Sequence, residues 1–166
     1  MGIHQFKLEV IPESYLGAPP MEVIPSEVLQ EGISPWKTGS MPSDGFLISL
    51  RLLLPREQSW GEVEEFVSGN DWPSKLRIWW SEGHLENVEF NYSPIADPWA
   101  LMQHFLSLVK AEGFLLVDQH SGYIFRPEEE FLKTHFSQSR AAQFMTDPEG
   151  TIIRASRESK IPPKHA

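Results

Sequence analysis

The stretch Phe46-Leu47-Ile48-Ser49-Leu50-Arg51-Leu52-Leu53-Leu54-Pro55 governs how the rest of the chain is read. Phe46, Ile48, Leu50, Leu52 and Leu54 fall at every second position, Ser49 and Arg51 lie between them, and Pro55 stops the run. A period of two places alternate side chains on opposite faces, so this spacing predicts a strand.

Moving outward toward the C-terminus, Ser59-Trp60-Gly61-Glu62 has the form of a capping box. Val63, Phe66 and Val67 follow as a short apolar stripe and Gly69-Asn70 ends it, which predicts a helix of two to three turns. Leu76, Ile78 and Trp80 alternate with Lys75, Arg77 and Trp79, and Val88, Phe90 and Tyr92 alternate with Asn87, Glu89 and Asn91. With Glu82-Gly83 between them, these two runs predict a β-hairpin. Asp97-Pro98 pairs an N-cap with proline at the first helical position, and Met102, Phe105, Leu106 and Val109 form an apolar face until Gly113. Phe114 to Val117 reads as a short strand, His120-Ser121-Gly122 as a turn and Tyr123-Ile124-Phe125 as its return. Pro127 with Glu128, Glu129 and Glu130 then opens a third helix, whose acids favour the positive end of the helix dipole.

Toward the N-terminus, His4, Phe6, Leu8 and Val10 alternate with Gln5, Lys7 and Glu9 as a half-buried strand ending at Pro12. Residues 12 to 45 hold six prolines and form a long Pro/Gly-rich loop, in which Trp36 needs a place to dock. From residue 46 the expected order is strand, helix, strand, strand, helix, strand. That is the split βαβ order of ferredoxin-like folds, an α+β class with an antiparallel or mixed sheet and helices packed on one face. The N-terminal strand, the long loop and the C-terminal helix decorate it, and residues 1–150 make one domain.

Composition narrows the function classes. The 166-residue chain has no cysteine, which removes disulfides, thiolate nucleophiles and sulfur-based zinc sites. The N-terminus shows no secretory pattern and no apolar run is long enough to cross a bilayer, so a cytoplasmic protein is expected. Net charge is −9, unevenly spread: Arg154, Arg157, Lys160 and Lys164 against Glu158 make residues 151–166 a basic tail, expected to be flexible. Residues 1 to 150 carry 10 basic and 22 acidic side chains. Such a body repels phosphate backbones and anionic lipid, so no nucleic acid or membrane partner is expected for the domain, whereas a basic protein partner suits it.

Catalytic signatures for phosphate binding, zinc hydrolysis or a nucleophile elbow are missing from the sequence. Ser34-Pro35-Trp36-Lys37 overlaps Lys37-Thr38-Gly39, but the shared lysine in one loop rules out the separate elements that a serine β-lactamase needs. No cofactor or metal is expected. Two groups of titratable residues stand out: Asp118 and His120 at a strand end, and Glu82 and His84 around the hairpin turn. Brought together, they could supply a carboxylate–imidazole pair for acid–base work, although Asp, His, Ser and Gly are also what a turn requires. The outer face of the hairpin offers a protein-binding alternative through Arg77, Trp79, Glu82, Glu86 and Glu89, with Trp36 from the loop, because tryptophan and arginine are common contact anchors.

The segment from Leu76 to Pro127, in particular Arg77-Ile78-Trp79-Trp80, the helix from Asp97 to Glu112 and Gly113-Phe114-Leu115-Leu116-Val117-Asp118-Gln119-His120-Ser121-Gly122, resembles small cytoplasmic immunity proteins of bacterial polymorphic toxin systems. The resemblance implies a non-enzymatic protein that neutralises a toxin by occluding its active site or a required surface. Three functions therefore stand open: an acidic inhibitor or immunity protein, a small enzyme or ligand-binding domain using Asp118, His120, Glu82 and His84, and a subunit of a larger assembly. Convergence of the four titratable residues in one cleft would favour the second.

Overall fold

Strand β1, Phe6–Ile11, forms where the N-terminal alternation predicts it and buries Phe6, Leu8 and Val10 completely. In the computed structural model, residues 5–13, 24–25, 35–38, 41–57, 59, 61–69 and 71–137 are described. Most of the expected 12–45 loop and the basic tail at 151–166 lie outside those residues. The remaining elements are β2 (Ile24–Pro25), α1 (Pro35–Thr38), α2 (Asp44–Arg51), β3 (Val63–Val67), β4 (Lys75–Ser81), β5 (His84–Tyr92), α3 (Trp99–Glu112), β6 (Leu115–Asp118), β7 (Tyr123–Phe125) and α4 (Glu129–Ser137). The class is α+β. One sheet has the order β2-β7-β6-β1-β5-β4-β3 with antiparallel neighbours throughout, and β2 contributes only two residues.

Two adjoining expectations are reversed. Residues 46–54 form no strand: Asp44–Arg51 is a helix that buries Phe46, Leu47 and Leu50 and leaves Ile48 55% and Leu52 79% exposed. Nearly every position from 46 to 54 is apolar, so the run satisfies a helical spacing of 46, 47, 50 and 54 as well as the alternate one. The deciding signal lies just upstream, where Ser43 Oγ accepts from the Phe46 N–H at 3.1 Å and Asp44 occupies the first turn. Ser43 Oγ also bonds the carboxylate of Glu112 at the far end of α3, which anchors the helix start to its neighbour.

Correspondingly, the Ser59–Glu62 box caps no helix. Residues 63–67 are β3, paired with β4 from Val63↔Trp79 to Val67↔Lys75, and Glu62 accepts from the Glu82 N–H at 3.1 Å instead of closing a capping box. An edge on the buried β4 hairpin strand demands a ladder partner, and that demand outweighs a weak two-turn helix signal. The split βαβ order therefore does not form on residues 46 onward as expected.

The hairpin and the second helix follow expectation. Gly113 ends α3 with φ 75° in the left-handed region. Asp97 is not its capping residue, because Pro98 holds the N-cap position without a side-chain bond and Asp97 Oδ2 accepts from the Ser74 N–H at 3.2 Å.

The two faces of the sheet differ sharply. Rows Leu8–Phe90–Leu76–Phe66 and Val10–Val88–Ile78 meet the buried residues of α1, α2, α3 and α4 in one apolar core. On the opposite face, register aligns Glu9, Glu89, Arg77 and Glu65 across four strands, with Lys7, Asn91 and Lys75 in the next row. A small second cluster, Ile11, Leu115, Val117 and Ile124, fills the β1–β6–β7 side of that face.

Candidate functional site

Asp118 ends β6 with its side chain on the helix-covered face, in register with Leu8. It is 2% exposed, and a carboxylate so buried requires partners. Oδ1 accepts from the His120 N–H at 2.9 Å, while Oδ2 accepts from Ser121 Oγ at 3.0 Å and meets His135 Nε2 of α4 at 2.5 Å. Burial pushes the carboxyl pKa up, but the bonds from His135, the His120 amide and Ser121 together hold it below the ordinary carboxylate value. Gly122, with φ 77°, completes the turn by donating its N–H to the Asp118 carbonyl at 2.8 Å. The imidazole of His135 lies among Phe6, Tyr123 and Phe125, with ring centroids 5.6–6.4 Å away.

A serine, a histidine and an aspartate thus meet, but not in the geometry of a nucleophilic triad. Ser121 Oγ stands 3.3 Å from the same Nε2 that bonds Asp118. A triad needs the carboxylate on one ring nitrogen and the hydroxyl on the other, so that proton removal from the hydroxyl is stabilised through the ring. Here one nitrogen serves both, and Ser121 Oγ donates to the carboxylate directly. The cluster clasps α4 to the β6–β7 turn.

A second clasp mirrors it across the sheet. Glu64 of β3 accepts from Arg51 of α2 through Nε at 2.9 Å and Nη2 at 3.0 Å, and from Trp80 Nε1 at 2.8 Å. Burial opposes ionisation of Glu64, and the Arg51 and Trp80 bonds overcome it, so its pKa is lowered. The two charged groups that the helix-covered face carries on β3 and β6 are therefore each tied to a helix by a side-chain bond.

The four expected acid–base residues do not converge. Asp118 lies beside Leu8, which lies beside Phe90, whereas His84 starts β5 six positions earlier. At about 3.4 Å per residue, the two turns are roughly 20 Å apart along the strands. Glu82 and His84 are exposed at the hairpin tip, where Glu82 adopts φ 51°. The ring that bonds the Asp118 carboxylate is that of His135, a residue whose helical position conceals its role, and His120, an exposed residue, contributes its backbone N–H.

Of the expected contact residues, Trp36 is 3% exposed and packs edge-on against Phe114 at 5.0 Å, so it belongs to the core and not to a surface. Trp79 is half-buried with its indole nitrogen shielded from solvent. Arg77 and Glu89 share the charged face, where Arg77 Nε binds Glu65 at 2.7 Å and Lys7 approaches Glu89 at 3.9 Å. Glu82 and Glu86 remain exposed.

Sequence reasoning passed over Glu9, which lies opposite Glu89. Burial, reinforced by the Glu89 charge, pushes its pKa up to about 7 against a bond from Gln119. Asn87 and Asn91 lie on the same face, each with a buried Oδ1 lacking a hydrogen bond. Among the described residues, no group of three or more His, Cys, Asp or Glu side chains could hold a metal ion, and no helix is long and apolar enough to cross a membrane. A groove of about 710 Å³ lies between α3 and α4, lined by residues that include Leu106, Lys110, Glu128 and Phe131, and it does not contain the Asp118 cluster. Comparison with family models, curated proteins and solved structures finds no match.

Proposed function

We propose that this chain is an acidic protein-binding module of the inhibitor type, which neutralises a basic partner by covering a surface that the partner needs. The observation that carries the reading is the hairpin end of the sheet, where Glu62, Glu82 and Glu86 are all exposed. The Glu62 carboxylate accepts from the Glu82 backbone N–H, so the two turns are tied side by side, and Glu86 stands next to them on β5. Fixed like charges on rigid elements steer a complementary partner and suppress wrong ones. The acid-rich residues 1–150 add a long-range field of the same sign. The resemblance of residues 76–127 points to bacterial toxin immunity as the instance of this function.

The scaffold supports the reading. Taken as β1, α2, β4, β5, α3 and β6, the elements run strand, helix, strand, strand, helix, strand, and their strands lie as β6-β1-β5-β4. We infer a split βαβ core founded on β1, with β3 and β7 added at its flanks.

The test is a pull-down with the purified chain at low and high salt, followed by association kinetics with the captured basic protein. Replacing Glu82 and Glu86 with lysine should slow association by about tenfold at low salt and flatten its salt dependence, with little change in dissociation. An unchanged association rate would remove the hairpin end from the contact, and capture of no partner at either salt would sink the reading as a whole.

A further inference from the structure

Trp72 is 54% exposed and adopts φ 55°, a left-handed backbone that L residues other than Asn and Asp rarely take. It also precedes Pro73, and the residue before proline is normally held in extended backbone. Such an outlier persists only where its surroundings impose it. They do so here. Gln5 Nε2 donates to the Pro73 carbonyl at 3.0 Å, and the Ser74 N–H reaches both Ser68 Oγ and Asp97 Oδ2 at 3.2 Å. Ser74 Oγ accepts from the Ser93 N–H at 2.8 Å, and both serines are completely buried. Ser68 and residues 71–74 are thereby stapled to residues 93–98 in one platform at the sheet end opposite the hairpin tip, and the second segment carries Ile95, itself 47% exposed.

Resting on the protein-binding reading above, we infer that this platform is the anchor of the partner contact, with Trp72 inserting into an indole-sized apolar cleft rimmed by basic side chains. A large aromatic side chain with two rotatable bonds, carried on a backbone that is already fixed, loses little entropy when it docks, which is the property of contact hot spots. Strain maintained in the free protein is explained if the exposed indole is what the strain positions. Asp71, exposed beside Trp72, and the acidic body argue for the basic rim. The same charges oppose a second copy of this chain and an anionic lipid surface as occupants. The anchor expected from sequence, Trp79, is displaced by a residue seven positions earlier.

The test installs a photo-reactive benzoylphenylalanine at position 72, 86 or 52 of the full chain in the cells that make it. Leu52, 79% exposed at the C-cap of α2, is the control for nonspecific capture. The expected result is one heteromeric adduct with a basic protein from position 72 and none from position 52. With that partner purified, Trp72→Ala should weaken the dissociation constant at least about 30-fold. Trp72→Gly should weaken it equally without lowering the unfolding midpoint, because glycine accepts the backbone without strain. An adduct from position 86 but not 72 would overturn the anchor while sparing the protein-binding reading, and adducts from neither would overturn both. A cross-linked dimer of this chain, a lipid adduct at position 72, or an affinity within about threefold for Trp72→Ala would each overturn the anchor.

Discussion

The helix-covered face of the sheet and the face behind it are built on opposite rules, although the same strands supply both. On the covered face, Phe6, Leu8, Val10, Leu76, Ile78, Val88 and Phe90 pack without directional demands, and the charges of β3 and β6, on Glu64 and Asp118, stand at its flanks fully bonded. On the other face, Glu9, Glu89, Arg77 and Glu65 face one another across four strands, and three acids share the row with one arginine. Arg77 serves Glu65 and Lys7 serves Glu89, which among the described residues leaves Glu9 without an ion pair. An apolar face tolerates any well-fitting neighbour. A charged face must pair its signs locally, and here one carboxylate stays outside the pairing.

The largest expected effect removes the apolar side of this contrast. Phe90, fully buried and 4.3 Å from Phe105 between ring centroids, should cost about 3–5 kcal/mol when replaced by alanine, read from urea unfolding. A loss below about 1 kcal/mol would mean that the covered face is not the core.

On the charged side the sign reverses. Glu9 has a folded pKa of about 7 against an ordinary 4.5, so the folded state binds the extra proton between those values. The Glu9 contribution to stability is accordingly most favourable below pH 4.5 and falls as pH rises toward and through 7. Glu9→Gln cancels the penalty and keeps the bond to Gln119, and should stabilise the protein by up to about 3 kcal/mol at pH 8 and hardly at all at pH 4.5. Equal unfolding midpoints for the two proteins at pH 8 would show that Glu9 is not desolvated.

The smallest of the three effects concerns the clasp. Asp118→Asn keeps the shape and loses the charge, and should cost about 2 kcal/mol at neutral pH, whereas His120→Ala should change little. Because the folded pKa of Asp118 is lowered, its contribution is present above about 3.8 and is lost as pH falls through the folded value, so the difference between mutant and parent should close in acid. A catalytic Asp118 would instead leave stability untouched on mutation, and that result would reopen the enzyme reading.

Legibility in the sequence varied from element to element. The 75–92 hairpin was readable because its two alternating runs sit within one turn of each other, and β1 because each of its inward residues has a polar neighbour. The run at 46–54 has almost no polar residues to mark a face, so its period was ambiguous, and Ser43-Asp44 upstream carried the answer. At 63–67 the capping-box pattern of Ser59–Glu62 and the stripe of Val63, Phe66 and Val67 point to a helix, and pairing with β4 overrides them. His135 and Glu9 were hidden for another reason. Their importance lies wholly in what stands opposite them, Asp118 and Glu89, at separations in the chain that no local pattern reports.

The α+β class, the hairpin, the second helix with its glycine stop and the acidic character of the body are all legible along the chain, because propensity, alternation and charge are properties of neighbouring residues. Which period residues 46–54 obey, that Trp36 is core, that Asp118 and Glu82 lie at opposite ends of the sheet, and that Trp72 is exposed on a strained backbone emerge only in the folded chain. Each of those depends on contacts between residues distant in the chain, whose energies the local sequence does not contain.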